Sequence, residues 1–250
     1  MAIRLAEVRS FCDSVSAAKS PDALYDLMQD ITDRMGFAHF ALVHHVDTVA
    51  PDTGTIRLVD YPRSWMEIFE ERRLYAADPI HRASQQTSVG FAWNNVEALI
   101  ALSPRDRAVL TAARDVGIGN GFTIPAHIPG EVNGSCSFAT ASGVGLDEEQ
   151  LPFVQLVGNF AFEAARRVNR SVGSHPRELP RLTDRQVECV ALVARGKTDW
   201  EIARILGVGS ETVSQHLKDA RDRYGVTKRT MLAMRALFDG SISFADVFGR

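Results

Sequence analysis

The sequence predicts an α+β protein with two domains, an N-terminal α/β/α sandwich around an antiparallel sheet and a C-terminal all-α helix-turn-helix domain. Residues 1–169 alternate amphipathic helical segments with short runs of aromatic and β-branched residues. Residues 170–180, RSVGSHPRELP, have the composition of a linker. Residues 181–250 contain the start and stop signals of three short helices. We therefore place the first domain at 1–169 and the second at 181–250.

The helices and strands of the first domain follow from its hydrophobic periodicity and its capping residues. Helices are predicted at 3–18, from Pro21, Pro62, Asp78 and Ser103 onward, and over a long segment at 147–169. Strands are predicted at 37–46, 55–59, 122–127 and 134–141, with a short extended segment at 91–93. Helices that enclose an antiparallel sheet on both sides form an α/β/α sandwich.

The second domain carries its helix boundaries in local motifs. Two capping boxes, in which a threonine is followed three residues later by Gln or Glu, are formed by Thr183 with Gln186 and by Thr198 with Glu201. Gly207 is expected to end the second helix, and Ser210 to N-cap the third. The inward face of the third helix is predicted to consist of Val213, Leu217, Ala220 and Tyr224. A tight glycine turn between two such helices, the second with a polar outer face, predicts DNA binding.

Composition excludes several classes of protein. The chain has 250 residues, of which 45% are hydrophobic, enough for two modest cores. It contains neither a transmembrane run nor a signal peptide, so we expect a cytoplasmic protein that does not bind membranes. The three cysteines and seven histidines show no metal-ligand spacing, so no metal or cofactor is expected. The net charge is −3, but residues 177–250 are weakly basic, as suits a domain that faces phosphates.

The second domain resembles the C-terminal domain of LuxR-type quorum-sensing regulators. The chain matches the pattern of that family at Leu182, Thr183, Arg185, Glu188, Ala194, Gly196, Lys197, Thr198, Glu201, Ile202, Ala203, Leu206, Ser210, Thr212, Val213, His216 and Val226. It departs at Gln186, where the family usually has Glu, and at Val190, where it usually has Leu. The resemblance implies a transcriptional regulator that binds double-stranded DNA as a homodimer.

The first domain resembles the signal-binding domain of the same family. The matching positions are Tyr61, Pro62, Trp65, Phe69, Asp78, Pro79, Trp93 and the run 117–125, GIGNGFTIP. The resemblance implies an N-acyl homoserine lactone as the ligand. It assigns the Trp65 indole to the lactone carbonyl, the Asp78 carboxylate to the amide N–H and the Tyr61 hydroxyl to the amide carbonyl. Trp93 would pack on the lactone ring, and Gly121 would keep the sheet close to it.

Two departures leave the acyl group of the ligand open. Phe69 stands where the family usually has Tyr, which removes a hydroxyl from the predicted pocket. Ala139 stands where the family often has Ser or Thr, and Ser137 on the same strand face is the candidate substitute. Taken alone, Asp78 before a proline is also typical of a helix N-cap. Tyr61, Trp65 and Phe69, taken alone, are also typical of a hydrophobic core.

The outer face of the third C-terminal helix is predicted to read DNA. Gln215 and Lys218 are long enough to reach base edges, although a phosphate contact is an almost equal interpretation for Lys218. Lys197, Thr198 and Thr212 lie at helix starts, which suits contacts with phosphates. The remaining predicted DNA-facing residues are Ser210 and Ser214.

We expect a homodimer, because a single recognition helix reads only a few base pairs. The long helix at 147–169 carries an apolar seam, Val154, Val157, Ala161, Ala164 and Val168. This seam is interpreted either as the dimer face or as packing on the core of its own domain. A second candidate contact is formed by Met231, Met234 and Leu237.

Three other functions remain alternatives. The same scaffold could respond to a metabolite that is not a lactone, or need no ligand. It could be an enzyme that acts on acyl lactones through Cys136 or a histidine, but no nucleophile–base pair stands out. It could be a phosphorylation-driven response regulator, but the N-terminal half lacks the acidic cluster and βα repeat of a receiver domain. A ligand-responsive transcriptional regulator is therefore the preferred interpretation.

Overall fold

A computed structural model describes residues 3–45, 55–74, 77–172 and 181–249, without the side chains of 171 and 172. The chain divides into two compact units, with residues 1–127 and 132–176 in the larger and residues 128–131 and 177–250 in the smaller. Most of the predicted linker, 173–180, lies outside the described residues. Within the described ranges, no helix combines the length and the apolar character that crossing a membrane requires.

The larger unit is built on one five-stranded antiparallel sheet. Its strands are β1 His39–His44, β2 Arg57–Val59, β3 Phe91–Ala92, β4 Ile118–Ala126 and β5 Gly134–Ala141, in the order β2-β1-β5-β4-β3. The predicted antiparallel sheet is confirmed. Strand β4 begins four residues earlier than predicted, because Ile118 pairs with Ala141 of β5 across an irregularity in the register that separates it from Gly121.

Helices cover both faces of this sheet. They are α1 Leu5–Ala17, α2 Pro21–Arg34, α3 Arg63–Glu71, α4 Pro79–Ser84, α5 Pro104–Asp115 and α6 Leu151–Val172. Phe40 of β1 points to the α1, α2 and α6 side, where its ring lies 5.3 Å from that of Tyr25. Ala139 of β5 points to the other side and packs in a cluster with Trp65 of α3 and Val109 of α5. The predicted sandwich of helices around a sheet is confirmed.

The apolar seam of α6 is buried inside its own unit. Val154, Val157 and Ala161 are each fully buried by α1, α2 and the sheet. The hypothesis that this seam forms the dimer face is therefore wrong. Helical periodicity identifies an apolar stripe but not the surface that covers it. The solvent-facing side of α6 carries two other apolar side chains, Leu156 and Phe160, which are 41% and 45% exposed.

The smaller unit is a bundle of short helices. They are α7 Asp184–Ala194, α8 Asp199–Leu206, α9 Ser210–Tyr224, α10 Arg229–Phe238 and α11 Phe244–Phe248. The core lies between α7, α8, α9 and α10 and includes Cys189, Ile202, Val213, Leu217 and Leu232. Both predicted capping boxes are formed, and Gly207 ends α8 in the left-handed conformation, with φ of 67°.

The start of α9 differs from the prediction by one residue. Gly209, rather than Ser210, is the N-cap, with an extended backbone at φ −75° and ψ 150°. Its carbonyl oxygen accepts the first helical hydrogen bond, from the Val213 amide at 3.2 Å. Glycine and serine both favour N-cap positions, so the sequence alone does not separate these neighbours.

Candidate functional site

A cavity with a volume of about 90 Å³ lies between the sheet and helices α3, α4 and α5. One water molecule needs about 10–15 Å³ by the same measure, so the cavity has room for a small organic molecule. Its walls are predominantly apolar: Ala41, Val43, Ile56, Val59, Met66, Phe69, Ile80, Val109, Leu110, Ala113 and Ile118. Polar and aromatic groups join them, chiefly Tyr61, Trp65, Asp78, His81, Trp93 and Ser137. Six of the seven predicted ligand-binding residues therefore line one cavity.

The sheet supplies the floor of the cavity. Register pairs Val59, Ala41, Ser137 and Thr123 in one row across four strands, and the pleat turns paired residues to one face. The Trp93 indole N–H donates a hydrogen bond to the Thr123 hydroxyl at 2.8 Å, and that hydroxyl lies 2.8 Å from the Ser137 hydroxyl. Thr123 belongs to the matching run 117–125 but was not among the predicted ligand-binding residues, although its spacing of two from Gly121 places both on this face.

Gly121, the seventh predicted residue, lies beneath the Trp93 ring rather than in the wall. A Cβ atom at this position would be 2.5 Å from Trp93 Cε2, well inside van der Waals contact. Trp93 opens a 3₁₀ helix, Trp93–Ala98, that follows edge strand β3. The absence of a side chain on Gly121 therefore lets the indole lie flat on the sheet and close one end of the cavity.

Asp78 combines a structural contact with a place in the cavity wall. It is the N-cap of α4, and its Oδ1 accepts a hydrogen bond from the Ile80 amide at 2.8 Å. Its other oxygen, Oδ2, lies 4.0 Å from His81 Nε2. The N-cap interpretation and the ligand-binding interpretation are therefore compatible, since one carboxylate oxygen serves the helix and the second remains available to the cavity.

Aromatic side chains at the start of α3 form the opposite wall. Trp65 is buried, and its ring meets Phe69 edge-on with centroids 6.0 Å apart. Tyr61 precedes the helix and packs against His39 at 5.9 Å. Burial, and to a smaller extent the Asp78 charge, raises the pKa of Tyr61 above its usual value. The phenol therefore stays protonated and can donate a hydrogen bond into the cavity.

His81 is a cavity residue that the sequence analysis missed. It lies one turn after Asp78 on α4, and its ring stacks on that of His45 with centroids 4.0 Å apart and planes at 16°. The His45 Nε2 atom lies 2.9 Å from the Ser135 hydroxyl on β5. Burial, followed by the charge of His81, lowers the pKa of His45 to about 2, so the His45 ring is neutral at physiological pH. The spacing of three residues from Asp78 is the sequence signal for His81.

In the smaller unit, the outer face of α9 carries the predicted DNA-facing side chains. Thr212, Ser214, Gln215 and Lys218 are all exposed, whereas Val213 and Leu217 are buried. The Gln215 amide Nε2 donates to the Asp219 carboxylate at 2.6 Å. The exposed Ser210 stands at the first position of the helix.

The start of α8 is held by the Thr198 capping box. The Thr198 hydroxyl accepts from the Glu201 amide at 3.3 Å and donates to the Glu201 carboxylate at 2.9 Å. Hydrogen bonds from the Thr198 backbone and then its hydroxyl lower the pKa of Glu201. Lys197 Nζ lies 3.5 Å from the same carboxylate. Thr198 and Lys197 therefore stand beside each other at the start of the first helix of the helix-turn-helix.

Comparison with known proteins identifies both units. Residues 20–165 match the autoinducer binding domain, and residues 180–236 match the luxR family of bacterial regulatory proteins. The chain belongs to the LuxR family of transcriptional regulators. It is a quorum-sensing regulator with an autoinducer-binding domain and a DNA-binding domain, and the family consists of regulators rather than enzymes.

LuxR-family relatives match this regulator over nearly its whole length. The transcriptional activator AhyR of Aeromonas hydrophila is 28% identical over 94% of this chain and 91% of its own. The transcriptional activator LuxR of Aliivibrio fischeri is 25% identical over 92% of each chain. The structure of SdiA in complex with octanoyl-rac-glycerol has a TM-score of 0.70 at 22% identity, covering 97% of this chain and 99% of that one. That likeness supports the fold.

The helices of the DNA-binding unit of this LuxR-family regulator are joined by a network that the sequence analysis missed. Asp199 on α8 accepts hydrogen bonds from the Ser214 hydroxyl on α9 at 2.9 Å and from Arg229 Nη1 on α10 at 3.1 Å. Arg229 Nη2 also donates to the Lys197 carbonyl at 2.8 Å. The network fixes α9 against the start of α8. No group of three or more potential metal ligands occurs among the residues that the structure describes.

Proposed function

We propose that the larger unit of this regulator binds an N-acyl homoserine lactone in its cavity. The observation that carries the proposal is the convergence of an indole, a carboxylate and a phenol on one mainly apolar cavity, from Trp65, Asp78 and Tyr61. Such a ligand has one amide donor, two carbonyl acceptors and an apolar tail. Leaving any of these polar groups buried without a partner costs about 1–3 kcal/mol, so a site for this ligand needs partners of these three kinds.

In the proposed complex, the Trp65 indole donates to the lactone carbonyl and Asp78 accepts from the amide N–H through Oδ2. The Tyr61 hydroxyl donates to the acyl carbonyl. The lactone ring packs on Trp93, above Gly121, and Ser137 faces the ligand from the floor of the sheet. The apolar wall of Phe69, which has no hydroxyl, is in keeping with an apolar tail.

Direct binding to the purified full-length protein tests the ligand class. Isothermal titration with acyl homoserine lactones should give one site per chain. Octanoyl glycerol, the compound named with the SdiA structure, serves as the non-lactone comparison. Binding of the acyl glycerol together with no binding of any lactone would contradict the proposal. The mass of a ligand extracted from the purified protein provides an independent measurement.

We also propose that the protein binds a dyad promoter site in cytoplasmic DNA as a homodimer. Exposed apolar side chains support a self-contact: Leu156 and Phe160 on α6, and Met231 and Met234 on α10. Leu237 is only partly buried and packs on the core of its own unit. A dimer presents two recognition helices, which match the two half-sites of a dyad.

Analytical ultracentrifugation tests the dimer with a matched pair of variants. Phe160→Glu should dissociate the dimer, because it places a charge on the exposed apolar side of α6. Val89→Glu changes an equally apolar, 63% exposed side chain elsewhere and should leave the dimer intact. A monomeric wild type, with and without lactone, would contradict the proposal.

For DNA contacts, we propose that Lys197, Thr198, Ser210 and Thr212 bind phosphates. Gln215 and Lys218 reach base edges in the major groove, with Ser214 beside them. The exposure of these side chains on α9 and at the starts of α8 and α9 supports this arrangement. Binding to a library of randomised operators, measured for the wild type and for single variants, distinguishes phosphate contacts from base contacts.

A further inference from the structure

The cavity has two different ends. At the β4 side of the sheet it is closed by Trp93 and by Leu110 of α5, and at the β2 edge it reaches Ile56 and Arg57. The polar groups for a lactone and an amide lie between these ends. A ligand whose lactone packs on Trp93, as in the proposed function, therefore points its acyl group toward the β2 edge. What stands there decides which acyl group fits.

His81 lies one turn after Asp78 on α4 and beside His45, which follows β1, the neighbour of edge strand β2. Its ring is held from three directions. It stacks on His45 at 4.0 Å, meets the edge of Phe69 at 6.0 Å, and has its Nε2 atom 4.0 Å from Asp78 Oδ2. The His81 side chain is only 15% exposed. The ring therefore cannot turn aside without losing a stacking contact and an edge contact, each a specific interaction beyond simple burial.

His45 is the support behind His81. It follows β1, and its Nε2 atom lies 2.9 Å from the Ser135 hydroxyl. Of the two rings, only that of His81 lines the cavity, and that of His45 stacks behind it. The two rings thus form a double layer, anchored to β5 through Ser135, where the alkyl chain of a ligand would otherwise continue. Met66, which also lines the cavity, is unbranched and adaptable and gives no comparable limit.

We propose that the His45–His81 stack sets the acyl-chain length that this regulator accepts, and that it restricts the ligand to a short acyl group. The inference rests on the proposed function, since it takes a lactone as the bound molecule. In an unlimited apolar pocket, each additional methylene raises affinity about fourfold. Against a rigid wall, added methylenes instead meet filled space, and overpacking opposes binding.

Titration of the wild-type protein with saturated acyl homoserine lactones from butanoyl to dodecanoyl is the first test. We expect the tightest binding at butanoyl or hexanoyl and at least about tenfold weaker binding at dodecanoyl. An affinity that keeps rising through dodecanoyl would overturn the inference while leaving the proposed function intact. Failure of every lactone to bind would instead contradict the proposed function.

Variants at both layers are the second test. His81→Ala removes the facing ring and should raise the dodecanoyl-to-hexanoyl affinity ratio about tenfold or more. His45→Ala removes only the support, so the ratio should rise in the same direction by less. Leu110→Ala removes bulk at the opposite end, and its ratio should equal that of the wild type whatever its overall affinity. An unchanged ratio in folded His81→Ala protein, or an equal rise in Leu110→Ala, would overturn the inference. If His81→Ala fails to fold, the dependence of wild-type affinity on acyl-chain length tests the inference by itself.

Discussion

The predicted DNA-facing side chains and the predicted cavity residues differ in burial and in how they are held. In the DNA-binding unit, Thr198 and Gln215 are exposed and pair with close sequence neighbours, Glu201 and Asp219, whereas Asp199 joins Ser214 and Arg229 across three helices. In the cavity, polar residues pair across distant elements, as Trp93 does with the fully buried Thr123 on β4. Removing one partner from a buried site leaves the other desolvated, whereas water replaces a lost partner at the surface. We therefore expect large, ligand-specific effects in the cavity and small, distributed effects on α8 and α9.

Asp78→Asn should show the difference between the cavity and the DNA-binding unit most clearly. It removes the charge that would accept the ligand amide, and hydrogen bonds to charged groups are worth about 1.5–3 kcal/mol. Asparagine is as good an N-cap as aspartate, so α4 should keep its start. We expect lactone affinity, measured by titration, to fall about tenfold to a hundredfold.

Asp106→Asn is the matched control for Asp78. Asp106 is also a buried aspartate near a helix start, but it pairs with Arg82 at 2.8 Å and does not line the cavity. Its burial favours a higher pKa, but the hydrogen bonds from Ser103 and the charge of Arg82 outweigh burial, so the pKa of Asp106 is lowered. This variant should lose stability without losing lactone affinity. Equal affinity losses in both variants would remove Asp78 from the binding site.

Gly121→Ala should have the next largest effect, on stability as well as on binding. The new Cβ would lie 2.5 Å from Trp93 Cε2, so the indole must leave its place on the sheet. Overpacking of this kind costs about 1–3 kcal/mol. Urea unfolding should show this loss, with weaker lactone binding. Gly145→Ala is the control, because a Cβ there meets nothing within 4 Å, and it should be neutral. Full stability of the Gly121 variant would contradict the close approach of Trp93.

The contrast between the regions also explains what the sequence could predict. Capping boxes are local patterns, so the boundaries of α7 and α8 follow from residues three apart. The sandwich follows from periodicity, because strands and helices differ in the spacing of their apolar residues. The predicted cavity residues come mainly from a resemblance to a family, and not from spacing alone.

Contacts between distant elements lie beyond these local patterns. His45 and His81 are 36 positions apart, and no periodicity links the end of β1 with α4. Asp199 and Arg229 meet only because α8 and α10 pack in one bundle. The apolar seam of α6 shows the same limit of prediction from sequence. Its apolar spacing is plain in the sequence, but its burial depends on α1 and α2, which were predicted separately.

On α9, substitutions should change sequence preference more than stability. Gln215→Ala should relax the preference at one base pair of each half-site, worth about 1–3 kcal/mol of discrimination. Its bond to Asp219 must open for base contact, which favours the lower end of that range. Lys218→Ala should relax the base preference at a neighbouring base pair of the half-site. Selection from randomised operators measures both. Lower affinity with an unaltered sequence logo would assign Lys218 to a phosphate.

Lys197→Ala should have the smallest effect, and an effect of a different kind. Lys197 stands at the start of α8, with its ammonium 3.5 Å from the Glu201 carboxylate and 41% of its side chain exposed. An exposed pair of this type contributes little to folding, so stability should hardly change. If the ammonium contacts a phosphate, all DNA sequences should bind more weakly by the same factor, and the slope of log affinity against log salt should decrease by about one. Lys19→Ala, which removes the same charge from the other unit, is the control and should leave the slope unchanged. A changed sequence preference in Lys197→Ala would contradict a pure phosphate contact, because a phosphate carries no base identity.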